Sequence, residues 1–153
     1  MRSSQNHSAG QAATHADELF NSGWNCAESV FQAVYKQFRQ DQPPVYLLTT
    51  LGGGMGCKRT CGAVTGGVIA LGLGYGRTSP DEAAKKSARA AAHNFCQAFR
   101  EEFHSLDCWE LIEGLEDERQ RKAVCTRYVR WAASRAAEML RKSVEAGARS
   151  PLV

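Results

Sequence analysis

Residues 52-GGGMGCKRTCGAVTGGVIALGLGYG-76 decide how this chain is read, because they join a glycine-rich collar to an apolar run and carry two cysteines, Cys57 and Cys61. A phosphate cradle is the first possibility. A Walker loop, G-x-x-x-x-G-K-[ST], started at Gly52 needs its second glycine at position 57, and a dinucleotide fingerprint, G-x-G-x-x-G, needs one there too. Cysteine occupies that position, and no alternating apolar run marks a strand leading into the loop. The collar therefore reads as a tight backbone entry to a helix, built around thiols.

From Cys61 to Tyr75 the pattern is helical despite five internal glycines, each of which costs about 1 kcal/mol relative to alanine. Packing has to compensate. Gly62, Gly66 and Ala70 recur every four residues and form a face of small residues against which another helix can lie closely. The expectation is a buried, glycine-rich central helix in an all-α, single-domain helical bundle.

The rest of the chain agrees with that class, because helical periodicity is strong and strand signals are poor. A polar helix is expected over residues 8–20 and a second over 26–40, with Cys26, Ala27, Val30, Ala33 and Val34 on its apolar stripe. Pro43-Pro44 opens a short helix through Leu51. Ser79-Pro80-Asp81-Glu82 reads as a cap, a first-turn proline and a capping box, starting a helix to about Phe103 that buries Ala84, Ala88, Ala91, Ala92, Phe95, Phe99 and Phe103. A short helix follows over 108–113. The last, over 117–142, carries the stripe Cys125, Tyr128, Val129, Ala132, Ala136, Met139 and Leu140. The domain is expected over 11–146, with a flexible N-terminus at 1–10 and a frayed tail at 147–153.

At 153 residues, 43% hydrophobic and 23% charged, the chain suits one core, and its net charge of +3 is modest. The basic excess after Gly114 mixes with acids at helical spacing, which reads as a solvated helix face and not a nucleic-acid surface. No segment approaches the roughly 18 apolar residues of a membrane span, and the N-terminal 20 residues lack an apolar signal core. The sequence therefore predicts a cytoplasmic protein without membrane insertion, whose six cysteines serve redox chemistry or metal ligation in preference to permanent disulfides.

One local pattern recurs around three of those cysteines: Asn25-Cys26-Ala27-Glu28, Thr60-Cys61-Gly62-Ala63 and Asp107-Cys108-Trp109-Glu110. Each has a residue that favours the N-cap immediately before the cysteine, and Glu28 and Glu110 stand at the capping-box position. Cys26, Cys61 and Cys108 are thus expected in first helical turns, where free N–H groups and the helix dipole favour thiolate. Cys125 lies mid-helix on an apolar stripe. Cys96 reads as core filler beside Phe95 and Phe99, although His93 precedes it by three residues, and His104 reads as a helix C-cap. Cys57 and Cys61 form a CxxxC pair with Lys58-Arg59 between them, and no CxxCH is present for haem attachment.

These residues resemble the C_GCAxxG_C_C proteins, a family named for its cysteine pattern and described as redox-active. The resemblance rests on Asn25-Cys26-Ala27, on Gly52 to Gly56, on the run Thr60-Cys61-Gly62-Ala63-Val64-Thr65-Gly66, and on Cys108 and Cys125. Carried over, it implies that the recurrent cysteines are Cys26, Cys61, Cys108 and Cys125. The first expectation is a metal centre on those four, an iron–sulfur cluster or other thiolate-bound metal without haem, with electrons passing to a redox partner protein. Gly54, Gly56, Gly62 and Gly66 would let backbone approach that centre. Two alternatives stay open: a metal-free dithiol relay in which Cys61 attacks and Cys57 resolves, and a helical partner-binding module whose cysteines merely pack.

Overall fold

The computed structural model describes residues 2–147 of the chain, with side chains from Ala9 onward, and its regular elements are helices. In order they are α1 (Arg2–Asn21), α2 (Cys26–Phe38), a 3₁₀ segment (Val45–Leu51), α3 (Gly62–Tyr75), α4 (Glu82–Phe103), α5 (Cys108–Leu111) and α6 (Glu118–Glu145). The chain is a single all-α domain, and among the described residues no helix is long and apolar enough to cross a membrane. The expected tail lies, past Gly147, outside the described residues. At the other end α1 already begins at Arg2, ahead of the expected start at Ser8.

The composition of α3 follows from its neighbours. A Cβ on Gly66 would stand 2.6 Å from the Ala27 carbonyl oxygen of α2, one on Gly67 would enter the Phe95 ring of α4, and one on Gly74 would stand 2.8 Å from Leu140 of α6. Three helices thus press on α3 from different sides, at distances that a side chain would not allow. Gly72 differs, having nothing within 4 Å of the position its Cβ would take.

Against this helix pack the predicted stripes of α2 and α6. Val30, Val34, Val129, Ala132 and Leu140 are closed to solvent, whereas Cys26, Cys125 and Met139 are half-buried. The α4 stripe is narrower than expected: Ala91, Phe95 and Phe99 are buried, but Ala84, Ala88, Ala92 and Phe103 remain half-exposed. This helix reaches the core along one ridge, and toward α6 its contact is aromatic. Phe103 meets the Tyr128 ring edge-on at 4.8 Å, and Phe99 meets Trp131 in the same manner at 5.4 Å, the geometry that ring quadrupoles favour.

The helix starts show where local signals compete. Asn25 caps α2 with the full capping box, its side chain accepting from Glu28 N while the Glu28 carboxylate accepts from Asn25 N at 2.8 Å. Helix α4 is capped by Asp81 and not by Ser79: its carboxylate accepts from Ala84 N at 2.6 Å and leaves Pro80 outside the helix. His104 ends α4 in the left-handed conformation, as expected of a C-cap. The basic residues of α6 largely face solvent or pair with acids, as in Arg130–Asp17 at 2.7 Å and Arg135–Glu138 at 3.1 Å.

These contacts make two alanine substitutions diverge. Gly66→Ala should lower the unfolding free energy by about 1–3 kcal/mol through forced separation of α2 and α3. Gly72→Ala should raise it by about 0.5–1 kcal/mol by stiffening the unfolded chain. Urea melts of the two variants beside the parent check the opposite signs.

Candidate four-cysteine site

Between the starts of α2, α3 and α5 and the middle of α6 lies a cavity of about 170 Å³, mostly apolar, whose lining includes Cys26, Cys61, Cys108 and Cys125. Four thiols reach it from four helices. Cys57 and Cys96 are not among the lining residues: Cys57 is exposed, its sulfur 3.5 Å from the Gly54 carbonyl, and Cys96 is half-buried against the core.

Each thiol has its own fastening. Cys26 follows the Asn25 cap, and that cap is tied down by Thr49, whose hydroxyl donates to the Glu28 carboxylate at 2.7 Å and whose carbonyl accepts from the Asn25 amide at 3.0 Å. The Cys26 sulfur rests on Gly62, where a Cβ would collide with it. Cys61 and Cys108 flank an antiparallel bridge between Thr60 and Asp107. Across it Cys61 N donates to Leu106 O at 2.8 Å and Cys108 N to Arg59 O at 2.7 Å. Because residues alternate in facing along extended backbone, the two cysteines that follow the paired residues share one face, the cavity side. Cys125 is placed by α6, and the Tyr128 hydroxyl one turn on donates to Leu111 O at 2.9 Å, holding α5 against α6.

The bridge also moves one expected cap. Thr60 is spent in the bridge, so Cys61 is itself the N-cap of α3, with φ −54° and ψ 135° and no side-chain capping bond. Asp107 does cap α5, accepting from Trp109 N at 3.0 Å. Glu110 bonds Ser105 and does not close a capping box.

The collar before Cys61 is a left-handed turn. Gly53, Gly54, Met55, Gly56 and Lys58 all have φ between 58° and 70°, a region that costs an L side chain roughly 1–2 kcal/mol per residue. Glycine is therefore the favoured occupant, and Met55 and Lys58 are held there against that preference. Gly54 meets a second demand, since a Cβ on it would lie 2.7 Å from the Cys108 Cβ and from the Arg59 carbonyl. Gly53 is the collar glycine that lines the cavity; Gly54, Gly56, Gly62 and Gly66 are not among the lining residues.

Electrostatics reverses the sequence-based expectation for two of the thiols. Burial, then the Coulombic influence of the neighbouring Cys26, pushes the Cys61 thiol far up, and the N–H groups of Ala63 and Val64 offset only part of this. Burial and then Cys26 also raise Cys108, against a lowering influence from Lys58. Cys125 is pushed up to about 11 by burial, then by Cys26 and Cys108. A helix terminus contributes about 0.3–1 kcal/mol, less than one pKa unit at about 1.4 kcal/mol, whereas full burial shifts a group by up to about 3–5 units. The apolar cavity therefore outweighs the dipole. The mutual influence of the four sulfurs marks them as one electrostatic cluster.

The model of the protein family described as "Putative redox-active protein (C_GCAxxG_C_C)" matches residues 24–139. The chain belongs to this family. No curated protein and no solved structure matches the chain. The matched C_GCAxxG_C_C span runs from the residue before the Asn25 cap into the last turns of α6, so it contains all four cavity cysteines. Sequence reading did not assign Tyr128 and Arg121 to the site, yet they stand three residues after and four before Cys125, the spacings that share its helix face.

Accessibility in the metal-free, reduced protein is graded: Cys57 is exposed and Cys61 is 6% exposed. Timed maleimide labelling followed by peptide mass mapping should modify Cys57 first and Cys61 last, and Cys57→Ser should remove the fastest phase.

Proposed function

We propose that this C_GCAxxG_C_C protein is an electron-transfer protein whose four cavity cysteines hold an iron–sulfur cluster. The observation that carries the reading is that these four thiols, of the six in the chain, line one mostly apolar cavity. Four soft sulfur donors with no carboxylate or imidazole among the lining residues form the donor set that such clusters take.

Among the described residues no three His, Cys, Asp or Glu side chains converge closely enough to hold one metal ion. A tetrahedral zinc site with Zn–S bonds near 2.3 Å requires sulfurs only about 3.8 Å apart. The cavity of about 170 Å³ that the four thiols line has room for a body of several atoms. When bound, a cluster supplies one-electron chemistry. The chain's own part is to hold Cys26 by the Asn25 cap, to hold Cys61 and Cys108 by the bridge, and to exclude water with Ala63, Leu111 and Ile112. Lys58 and Arg121 at the lining bring positive charge toward the thiolates.

The relay of Cys61 and Cys57 draws less support. An attacking thiol has to be a thiolate with access to its target, and Cys61 is buried with its thiol pushed up. Cys57 stands outside the cavity. A module whose cysteines only pack has no use for a cavity at their meeting point.

Protein purified under argon, and again after reconstitution with ferrous iron and sulfide, should be brown, with iron and acid-labile sulfide in equal amounts. Cys57→Ser and Cys96→Ser should keep the colour, while serine at 26, 61, 108 or 125 should each remove most of it. Colourless, iron-free protein after both treatments would sink the reading.

A further inference from the structure

A second cleft adjoins the cysteine cavity and has a different character. It measures about 360 Å³ and is bounded by Lys58, Trp109, Ile112, Glu113, Glu116 and Arg121 among others. Lys58, Ile112 and Arg121 line both spaces, so the cleft lies one layer of side chains from the thiols. Its volume falls in the range of small-molecule sites.

Two cations on the shared wall have spare bonding capacity. Among the described residues no carboxylate lies within ion-pair distance of Lys58 or Arg121. One Arg121 nitrogen, Nη2, donates to the Glu116 carbonyl at 2.7 Å, while its Nε is closed off from solvent and has no hydrogen-bond partner. Lys58 is held in the left-handed conformation at φ 59°, a strain that persists where the surroundings fix it. Beside them Trp109 is 59% exposed at the start of α5, directly after Cys108, and none of the ring contacts involves its indole. Glu113 and Glu116 also line the cleft, and with them its formal charge is balanced.

We infer that this cleft binds a small aromatic monocarboxylate, its acid group between Lys58 and Arg121 and its ring on Trp109. Guanidinium and ammonium donors pair with a carboxylate, and an exposed indole in a concave wall offers an aromatic ring its face. The two glutamates repel every anion and a polyanion most, so the cleft discriminates against several negative charges. The binding is read by heat and not by colour or electron transfer, so its outcome is separate from the test of the cysteine site, although Lys58 and Arg121 line both spaces.

The test is isothermal titration calorimetry under argon with benzoate, 2-naphthoate, the neutral isostere benzamide and benzene-1,3,5-tricarboxylate. Saturable binding is expected for benzoate and more tightly for 2-naphthoate, with benzamide and the tricarboxylate at least tenfold weaker. Lys58→Gln and Arg121→Gln should each weaken benzoate about tenfold, the size of a lost charge-assisted hydrogen bond. Trp109→Ala should abolish the advantage of naphthoate, and Trp109→Phe should keep most of it. Thermal melts accompany each variant. If one melts early, the parent protein at rising salt replaces it, where benzoate affinity should fall. Benzamide binding as tightly as benzoate, an affinity unmoved by salt, or no saturation by either carboxylate up to its solubility limit overturns the inference.

Discussion

The closeness of α2 to α3 is the constraint on which the other contacts depend. Two positions set it: the Cys26 sulfur occupies the space of a side chain at Gly62, and the Ala27 backbone that at Gly66. A methyl group at either would drive the helices apart and separate the start of α2 from the start of α3. The cost of placing glycine in a helix, about 1 kcal/mol each, is offset here by contact that larger residues would forbid. The same approach brings Cys26 beside Cys61, which is why a charge on the first raises the second.

Around that crossing the site is fastened by backbone and polar bonds more than by the thiols themselves. Thr49 from the 3₁₀ segment seals the Asn25–Glu28 box. The Thr60–Asp107 bridge then clamps the entries of α3 and α5 although 47 positions separate them in the chain. The left-handed collar makes that clamp possible, because Gly54 lets the Cys108 side chain and the Arg59 carbonyl lie directly against its backbone. Removing a cavity cysteine would leave these fastenings in place, so the fold and the chemistry of the site are separable.

Much of this was legible in the chain, for identifiable reasons. Helix positions follow from 3.6-residue periodicity, and the cap before Cys26 from an Asn-x-x-Glu box that the structure reproduces. The four cysteines could be singled out by their caps and stripe, and they do line one cavity. What escaped was tertiary or competitive. Asp81 displaced Ser79 because two good caps stood two residues apart and only geometry chooses between them. Thr60 was lost as a cap to a partner 47 residues away, which no local pattern announces. The left-handed turn could be suspected from Gly52 to Gly56, but Met55 and Lys58 within it carry no such signal. The half-exposure of Ala84 and Ala88 reflects how narrowly α4 meets its neighbours, a matter of helix placement and not of periodicity.

The thiol energetics show how far a local argument can be carried. Cap position alone made thiolates of Cys61 and Cys108, since a helix start offers N–H groups and positive potential. Folding the chain adds burial and neighbouring sulfurs, Cys26 and Cys108 beside Cys61 and Cys26 beside Cys108, and both oppose the same charge. Burial in a mostly apolar space and repulsion from neighbouring sulfurs push the Cys61, Cys108 and Cys125 thiols up, so these three favour the protonated over the nucleophilic form. Positive charge delivered into the cavity would reverse that balance, because the burial and crowding that disfavour bare thiolates strengthen their attraction to a cation. On the proposed reading the four thiols serve that cation and not exchange with external disulfides, and the exposed Cys57 stands outside their cavity.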